Sequence, residues 1–536
     1  ILDKGTGTQG TIDTSSTMFT DSMARGLPDS GATEPAVAFN PNVANQFVVA
    51  YVDTGDGNKG KVVCGTVYYQ TGGNTKLAIN WGAVALIAPG SGTSTGSPSI
   101  AFDGASSSSS SPSNRFVVAY RDAGDSNYSK AVVMLIAADL SISRGPVKTV
   151  ASVNAQTMCV AFDPNTLGRF VITYWQAAQT PAVSVCTINS STNVITVGTA
   201  LTSNGGDDNG IVFWDTNTAS RFIWAGRLTH VSNQLWANIG QVSGTTIVWN
   251  GSARLVNADC SHISGAWDPS YGGRFVIAYS SPFNGTKLGK AVAAIVSGSA
   301  GSWTFGNTYL DPTEYTFNNA STEMTSIAFS NIYRKFIVAY KDTANSNRGT
   351  VVMGTLDSAP PYLAITYGSE VPFTAATTDL SFVGQSVAAD YMSGHYFNAY
   401  RGNEGQFVVV SSATADGAVV GDIQQGQLTI DMAAGNFFEV DLGSGGSPSN
   451  IAEDIQKFIT NNVNATSSQI SSFDLKIIGR GSDSPTFDAP LDNIKWVGGT
   501  APTLTSVPNN AVDILRFTTY DNGTTWYGEV VGLNFT

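Results

Sequence analysis

A unit that recurs seven times constrains the fold of this chain more than any other feature of its sequence. Each copy holds an apolar strand that ends in an aromatic residue, often followed by Asp, and then a turn rich in Gly, Pro, Asn and Ser. A basic or polar residue follows, then Phe, two apolar residues, a small residue and Tyr, as in Arg115–Tyr120. Such self-similarity indicates one structural unit copied along the chain. The central Phe of the copies lies at positions 47, 116, 170, 222, 275, 336 and 397.

Each copy contains four strand-like segments separated by turn residues. In the second copy they are Pro98–Asp103, Arg115–Tyr120, Ala131–Ala137 and Val147–Ala151. The first two are almost continuously apolar, which is typical of strands buried on both faces, and the later two are more mixed, which is typical of an outer edge. Four short strands per repeat are typical of a propeller blade. The sequence therefore predicts an all-β chain with a seven-bladed β-propeller over residues 1–422.

The ends of the repeat array distinguish a closed ring from an open stack. An open stack of repeats needs polar end caps, because each terminal repeat exposes an apolar face. Neither end of this array has such a cap, so a ring is the preferred interpretation and a solenoid is the alternative. We expect residues 1–34 to supply an outer strand to the seventh blade and so to close the ring. The chain starts at Ile1, so we also expect it to be processed or part of something longer.

Residues 423–536 lack the repeat and predict a second, β-rich domain. Its strand candidates are Leu428–Met432, Phe437–Leu442, Phe473–Ile478, Ile514–Thr519 and Thr525–Val531. Ile451–Thr460 is the one convincing helix candidate, since Asn450 and Glu453 have capping-box spacing and the apolar residues follow one helical face. We expect a compact sandwich-like module with one helix, which serves docking or oligomerisation.

Two segments of this second domain carry a family resemblance. They are Gln427–Leu442 and the pair Ile494–Leu504 and Asp513–Gly528, with Lys-Trp-x-Gly-Gly-Thr-x-Pro followed by Gly-Thr-Thr-Trp-Tyr-Gly. Together they resemble the C-terminal modules of virion structural and tail-fibre proteins of tailed bacteriophages, marine and cyanobacterial phages especially. The sequence departs from that pattern over residues 443–472. The resemblance implies a place on the exterior of a phage particle, with other virion proteins as partners, and it implies no enzymatic activity.

The residue that follows the landmark Tyr of each repeat is the candidate ligand-binding position. Because blades are related by rotation, this position lies at one radius on one rim of the ring. Cations and an indole there would suit an acidic or carbohydrate ligand. The alternative interpretation is pairing of these cations with Asp53, Asp122 and Asp342, which follow directly on three blades. The candidate binding residues are Arg121, Trp175, Arg227, Lys341 and Arg401.

The segment Thr519–Trp526 resembles the Asp-box turn of sialidase-type propellers. Asp521 is expected to bind local backbone N–H groups, Gly523 to adopt a positive φ, and Trp526 to pack beneath the turn. The segment occurs once and lies outside the propeller. We therefore interpret it as a structural turn.

Composition excludes several other functions. The net charge is −13 and no run of Lys or Arg exists, so neither nucleic acid nor an anionic membrane is an expected partner. No apolar stretch approaches the ~20 residues of a membrane span. We predict no metal, no cofactor and no catalytic residue, because His230, His262 and His395 lie in different repeats and no carboxylate pair stands out. The four cysteines are expected to be buried free thiols.

These features predict a non-enzymatic appendage or fibre protein of a tailed bacteriophage virion. Its propeller would adhere to polysaccharide on the host surface, and its C-terminal module would serve docking to other virion proteins or homo-oligomerisation. One alternative is a capsid-mounted fibre or decoration protein without a receptor role. Two others are a glycan-degrading phage depolymerase and a secreted cellular lectin.

Overall fold

The computed structural model describes most of the chain, and all structural statements below concern that part. The described residues are 25–27, 29, 32–43, 45–70, 76–88, 95–104, 114–176, 180–202, 210–228, 231–269, 271–283, 285–306, 313–329, 335–357, 363–377, 387–389, 396–402, 405–411, 427–431, 437–441, 457–461, 471–478, 493–496, 499–505, 512–521 and 524–535.

The chain divides into two compact units, one ending at Ala415 and the other covering Asp416–Thr536. The described residues of the first unit form antiparallel strands that follow the sequence repeat. Strand β1 (Arg25–Gly26) comes first. Blade 1 then holds β2 (Ala32–Phe39), β3 (Gln46–Asp53), β4 (Lys59–Gln70), β5 (Lys76–Trp81) and β6 (Ala85–Leu86).

The next two blades share one long strand. Blade 2 consists of β7 (Thr95–Phe102), β8 (Arg115–Asp122), β9 (Tyr128–Ile136) and the first part of β10 (Ile142–Phe162). The last part of β10 is the inner strand of blade 3. Blade 3 continues with β11 (Arg169–Gln176), β12 (Thr180–Ile188), β13 (Ile195–Val197) and β14 (Leu201–Thr202).

The remaining blades repeat the plan. Blade 4 holds β15 (Ile211–Trp214), β16 (Arg221–Leu228), β17 (Gln234–Ser243) and β18 (Thr246–Val256). Blade 5 holds β19 (Ser261–Trp267), β20 (Arg274–Phe283), β21 (Thr286–Ser297), β22 (Thr304–Gly306) and the start of β23 (Tyr315–Phe329), whose end opens blade 6. Blade 6 continues with β24 (Lys335–Asp342), β25 (Arg348–Leu356), β26 (Ile365–Tyr367) and β27 (Val371–Thr377), and blade 7 holds β28 (Val387–Ala389), β29 (Tyr396–Gly402) and β30 (Gly405–Ser411).

The inner strands of the seven blades follow one another around a circle. Each contacts the inner strand of the next blade, and β28 of the last blade contacts β2 of the first. The N-terminal strand β1 pairs with β30, with Arg25 opposite Val408 and Gly26 opposite Phe407. The first unit is therefore a seven-bladed β-propeller, as the repeat predicts. Its last sheet combines three strands from the end of the unit with one from its start.

The core lies in the seams between blades. Along β8, for example, Phe116 and Val118 face blade 1, whereas Val117 and Ala119 face blade 3. Both faces of the second strands are buried, which confirms the interpretation of their continuous apolar runs. The cysteines lie in these seams as buried free thiols, which also confirms the prediction for Cys64, Cys159, Cys186 and Cys260.

The second unit contains β31 (Gln427–Asp431), β32 (Phe437–Asp441), β33 (Lys457–Asn461), β34 (Ser471–Ile478), β35 (Ile494–Trp496), β36 (Val512–Thr519) and β37 (Trp526–Phe535). All five strands predicted from the sequence are present, with bounds shifted by a few residues. One sheet has the order β32-β34-β36-β37-β35, and β31 pairs with β33 in a separate parallel pair. Phe473, Phe517 and Trp526 stack between these strands as the described core.

The helix predicted over Ile451–Thr460 is wrong in its described part. Lys457–Asn461 forms strand β33, which pairs in parallel register with Gln427–Asp431, and residues 451–456 lie outside the described residues. A short apolar run does not distinguish helix from strand by its spacing. Phe458, Ile459 and Thr460 are aromatic or β-branched, so they fit a strand well once β31 supplies a partner.

Candidate functional site

The two edges of the propeller carry different side chains. At one edge the inner strands end and the second strands begin, and we call this edge the pair rim. At the other edge the inner strands begin and the second strands end, and we call it the bulge rim. The rotationally related position that follows the landmark Tyr, which holds the five predicted ligand-binding residues, lies at the bulge rim. It is next to last, or close to last, in the second strand of each blade.

The pair rim is built from buried carboxylate–guanidinium pairs. In blade 5, Arg274 Nε donates to Asp268 Oδ2 at 2.7 Å, and both side chains are almost fully buried. In blade 1 the equivalent residues are neutral, and Asn40 donates to Gln46 Oε1 at 2.6 Å. The equivalent charged pairs of blades 2, 3 and 4 are Asp103–Arg115, Asp163–Arg169 and Asp215–Arg221.

These pairs also connect neighbouring blades. The Gly168 N–H of blade 3 donates to Asp103 of blade 2 at 3.1 Å, and Arg274 Nη1 donates to the carbonyl of Asp357 in blade 6 at 3.1 Å. Arg221 of blade 4 lies over the Trp303 ring of blade 5, 4.1 Å from its centroid. Because these charged groups bind one another and the neighbouring blades, we interpret the pair rim as structural and not as a ligand site.

The axis of the ring holds a small apolar channel of about 320 Å³. All seven inner strands contribute to it, with residues such as Phe102, Phe162, Trp214 and Trp267. Thr216 is its polar lining residue, and the described lining includes no carboxylate.

The bulge rim is named after irregularities in its inner strands. In five blades the inner strand contains one extra residue relative to the second strand, between Thr33 and Ala36 in blade 1 and between Ser261 and Ser264 in blade 5. The same shift occurs in blades 2, 3 and 6. Glu34, His262 and Met324 lie within three of these bulges at φ values of 51, 51 and 52°. A left-handed backbone at non-glycine residues is costly and marks places where side chains are specially aimed.

Arg121 and Trp175 occupy the predicted positions in blades 2 and 3, and both side chains are partly buried. The Arg121 guanidinium lies over Gly96, where an added Cβ would be 2.7 Å from Nη2. Among the described residues, Arg121 Nε and Trp175 Nε1 have no hydrogen-bond acceptor. Buried donors usually have partners, so these two buried N–H groups without an acceptor are unusual features of this rim.

Arg227 and Lys341 occupy the same position in blades 4 and 6. Arg227 has Asp259 at 4.0 Å, and Lys341 has Glu323 at 3.9 Å. Both distances are at the outer limit of an ion pair. Arg401 lies in β29 opposite Gln406, and its side chain lies outside the described residues.

In blades 1 and 2 the aspartates that follow the rim position bind other residues than the sequence suggests. Asp53 and Asp122 bind the lysines of the next strand, Lys61 and Lys130, each at 2.7 Å. Their other oxygen caps a 3-10 turn, as Asp122 does by accepting from the Gly124 N–H at 3.0 Å. The sequence missed these lysines because eight residues separate them from the aspartates.

His262 is the centre of a polar cluster between blades 4, 5 and 6. His262 Nδ1 lies 3.2 Å from Ser280 Oγ, and the His262 carbonyl accepts from Thr325 Oγ1 of blade 6. Arg227, Lys341 and Glu323 act electrostatically on its imidazole. We call Arg227, His262, Ser280, Glu323 and Lys341 the His262 cluster. These residues could not be predicted to lie together from the sequence, because the bulge that orients His262 leaves no mark in the repeat.

The protonation of His262 is controlled by its surroundings. Burial lowers the pKa of His262 below its ordinary value of 6.5, and Lys287, Arg227 and Lys341 lower it further, whereas Glu323 opposes them. The imidazole is therefore neutral at pH 7. Ser280 is fully buried, so it positions the ring and is not exposed as a nucleophile.

The turn predicted at Thr519–Trp526 has the expected contacts where it is described. Asp521 Oδ1 accepts from the Thr525 N–H at 2.8 Å and from Thr519 Oγ1 at 2.9 Å. These contacts lower the pKa of the Asp521 carboxyl, the Thr525 N–H most of all. Trp526 is fully buried. Gly523 lies outside the described residues.

The described residues contain neither the arrangement of a metal site nor a membrane-spanning helix. No group of three or more His, Cys, Asp or Glu side chains among the described residues has the arrangement of a metal site. His230 and His395 lie outside the described residues. No helix in the described ranges is long and apolar enough to cross a membrane.

The propeller is similar to several solved structures, all at low identity. Sqt1 of Saccharomyces cerevisiae is 12% identical, with a TM-score of 0.40, and the match covers 72% of this chain and 87% of Sqt1. Chaetomium thermophilum Sqt1, bound to the N-terminus of the ribosomal protein L10, is 10% identical over 72% of this chain and 97% of that one, with a TM-score of 0.40.

A lectin also matches this chain. A variant of the Aleuria aurantia lectin in complex with Fucα1-6GlcNAc is 14% identical, with a TM-score of 0.36, over 65% of this chain and 98% of the lectin. No known protein family and no curated protein matches the sequence.

Proposed function

We propose that this protein is a carbohydrate-binding propeller and that its bulge rim binds acidic sugars. The observation that carries the proposal is the His262 cluster, in which Arg227 and Lys341 converge on one partly buried imidazole. Arg227 lies 4.0 Å from Asp259, and Lys341 lies 3.9 Å from Glu323. A chain of net charge −13 that gathers cations at one place has a local attraction for anions.

The chemistry of the rim suits a sugar that carries a carboxylate. Guanidinium and ammonium groups bind carboxylates through charge-assisted hydrogen bonds. Ser280 and the His262 imidazole add polar groups to the same cluster. Arg121 and Trp175 extend the rim through blades 2 and 3, and the Trp175 indole offers an apolar face of the kind that packs against a sugar ring.

We propose that binding is the whole activity and that no bond is broken. The described channel lining holds no carboxylate, whereas glycoside hydrolysis generally needs two. Glu323 is the acid that raises the pKa of His262. Release of new reducing ends from a bound polysaccharide would contradict this part of the proposal and favour a depolymerase.

We further propose that the propeller is displayed on the exterior of a phage particle, where the C-terminal unit attaches it. This placement rests on the resemblance of Ile494–Leu504 and Asp513–Gly528 to phage virion modules. Immunogold labelling of purified particles with antibodies raised against this protein tests it. Gold at the tail supports a receptor-binding fibre, and gold at the capsid supports a decoration protein. Unlabelled particles, with the protein absent from their protein profile, would contradict the placement.

The binding proposal is tested with the purified chain on immobilised polygalacturonate, with dextran as the neutral polysaccharide. We expect binding to polygalacturonate at pH 7 and at least tenfold weaker binding after Arg227→Gln together with Lys341→Gln. Lys59→Gln is the matched control, because it removes a cation from a turn of blade 1 and leaves the cluster intact. Arg121→Ala and Trp175→Ala measure the contribution of blades 2 and 3.

The pH dependence of polygalacturonate binding provides a second test of the same site. Burial holds the pKa of His262 below 6.5, so the imidazole gains its proton only as the pH falls below that value. The added positive charge lies beside Arg227 and Lys341, so affinity for polygalacturonate is expected to rise as the pH falls below 6.5. His262→Gln should remove this rise. Absence of binding to both polysaccharides would sink the proposal, and equal binding by the double variant would move the site away from the cluster.

A further inference from the structure

Exposed apolar side chains are concentrated in one segment of the second unit. Among the described residues, ten large hydrophobic side chains are exposed, and six of them lie between Tyr520 and Phe535. Tyr520 is 61% exposed, Val531 49% and Phe535 50%. Single exposed hydrophobic residues are ordinary, whereas a contiguous group marks an interaction surface.

Strand β37 has two parts that differ in their surroundings. In the first part, Trp526 and Gly528 are buried, and Gly528 packs beneath the rings of Trp496 and Phe517. In the second part, Val530 and Val531 are both exposed, and the pairing with β36 is irregular between Val530 and Gly532. The strand therefore continues beyond the core that its first part covers.

The second part of β37 also presents a backbone edge. Strand β36 pairs with β37 along one side as far as Phe535, whereas β35 on the other side covers Trp526–Gly528. Within the described residues, no strand pairs with residues 529–535 on the β35 side. An unpaired edge with apolar side chains is a template for another strand.

The sequence of this edge is suited to a second copy of itself. A two-fold interface places each residue of a patch against its symmetry partner, so the patch must be self-complementary. With Gly532 on the axis of an antiparallel pair, Val531 of one copy faces Leu533 of the other. Glu529 then faces Phe535, so the two glutamates are kept apart. Arg516 and Asp474, paired at 2.7 Å on the exposed face, border the apolar group.

We propose that two copies of this protein associate through residues 529–535 of β37, which pair antiparallel about Gly532 and bury the exposed apolar side chains of residues 530–535. The two C-terminal sheets then form one continuous sheet. Backbone hydrogen bonds supply the geometry, and the exposed valines, leucine and aromatic rings supply the apolar area that a stable interface needs.

Sedimentation velocity of the full chain tests the association. We expect a dimer at micromolar concentration and a monomer after Val531→Glu together with Leu533→Glu, with the thermal melting of the propeller unchanged. Val248→Glu is the control, because Val248 is 54% exposed on a propeller strand and its replacement leaves β37 intact. A monomeric wild-type chain, or a double variant that stays dimeric, would overturn the proposal.

Cysteine cross-linking tests the register. Opposite residues of an antiparallel pair have Cα atoms about 4.5–5.5 Å apart, a separation that a disulfide spans. Val531→Cys together with Leu533→Cys should therefore give a covalent dimer on oxidation, and Val248→Cys should not. Burial raises the pKa of the Cys64 thiol to about 12 and that of Cys159 to about 11, so native thiols do not compete. A dimer that fails to cross-link, or a trimer, would overturn the two-fold pairing.

Discussion

At the scale of single residues, the buried pairs of the pair rim show how much depends on both partners. Asp268 and Arg274 lie six residues apart and are almost fully buried. Asn40 and Gln46 have the same spacing in blade 1, and their amides bind each other at 2.6 Å. The ring therefore contains a charged and a neutral version of one contact. A charged pair in the interior contributes little over a neutral one, but removal of one partner leaves a buried charge.

This comparison predicts the outcome of a double exchange. Arg274→Gln alone leaves Asp268 charged and buried, so we expect a loss of about 3–5 kcal/mol in the free energy of unfolding. Asp268→Asn together with Arg274→Gln copies the contact of blade 1 and should recover much of that loss. Urea denaturation of the three proteins measures it. Lys59→Ala, at an exposed pair, should change little. A double variant less stable than the single one would show that the neutral contact does not transfer between blades.

Sequence reasoning recognised these residues without recognising their contact. Asp at the end of the inner strand and Arg before the central Phe both belong to the repeat, but a repeat records positions and not which of them meet. The bulges at Glu34, His262 and Met324 were missed for a related reason. A bulge depends on register between two strands, and none of these three residues is the glycine that would signal a positive φ.

At the scale of the strand, close contacts between Phe and Gly shape the blades. The central Phe222 lies directly opposite Gly240 of the third strand, and an added Cβ at Gly240 would be 2.2 Å from its ring. Phe336 and Gly354 repeat this contact in blade 6. In blade 5 the residue opposite Phe275 is Ala294. The blades thus differ in the residue that lies opposite the central Phe, which is Gly in blades 4 and 6 and Ala in blade 5.

Gly240→Ala is expected to destabilise the propeller. The methyl group would force Phe222, which is fully buried, out of its position, and overpacking of this kind costs about 1–3 kcal/mol. Thermal melting followed by circular dichroism measures the loss. Gly272→Ala is the control, because a Cβ there meets nothing within 4 Å. Equal melting of wild type and Gly240→Ala would mean that the Phe222 ring moves aside at no cost.

Strand prediction was accurate where the pattern was redundant and failed where it was not. Because the motif occurs seven times, the clear copies identified the weak ones, and the second strand of every blade was predicted. In the second unit each segment occurs once, and the run around Phe458 and Ile459 suited a helix as well as a strand. Its pairing with Gln427–Asp431, some thirty residues earlier, decides the matter, and a local pattern contains no such information.

At the scale of the whole molecule, the ring is held closed by the pairing of its two ends. Strand β1 lies against β30, so that Arg25 is opposite Val408. In a closed ring each blade packs against two neighbours, so no blade exposes the apolar face that a terminal repeat of an open array exposes. The stability of the propeller should therefore depend on this one junction more than its two described residue pairs suggest.

A disulfide across the junction tests this dependence. In the variant Arg25→Cys with Val408→Cys, the two Cα atoms are register partners, at a separation that a disulfide spans. Oxidation should raise the melting temperature of the propeller by several degrees, because cross-links that close long loops stabilise by up to about 4–5 kcal/mol in the chain-entropy model. Arg25→Cys alone is the control. Identical melting of the oxidised and reduced forms would show that the junction does not limit stability.

The junction also sets an order on synthesis. Strand β1 leaves the ribosome first among the described strands, but its partner β30 follows only after six blades have been made. At about 5–20 residues per second, β1 waits tens of seconds, during which the growing arc has an uncovered blade at each end. The last step of folding is thus the pairing of two strands that are far apart in the sequence. A chain truncated before Gly405–Ser411 would have the first six blades but would lack the strand that pairs with β1.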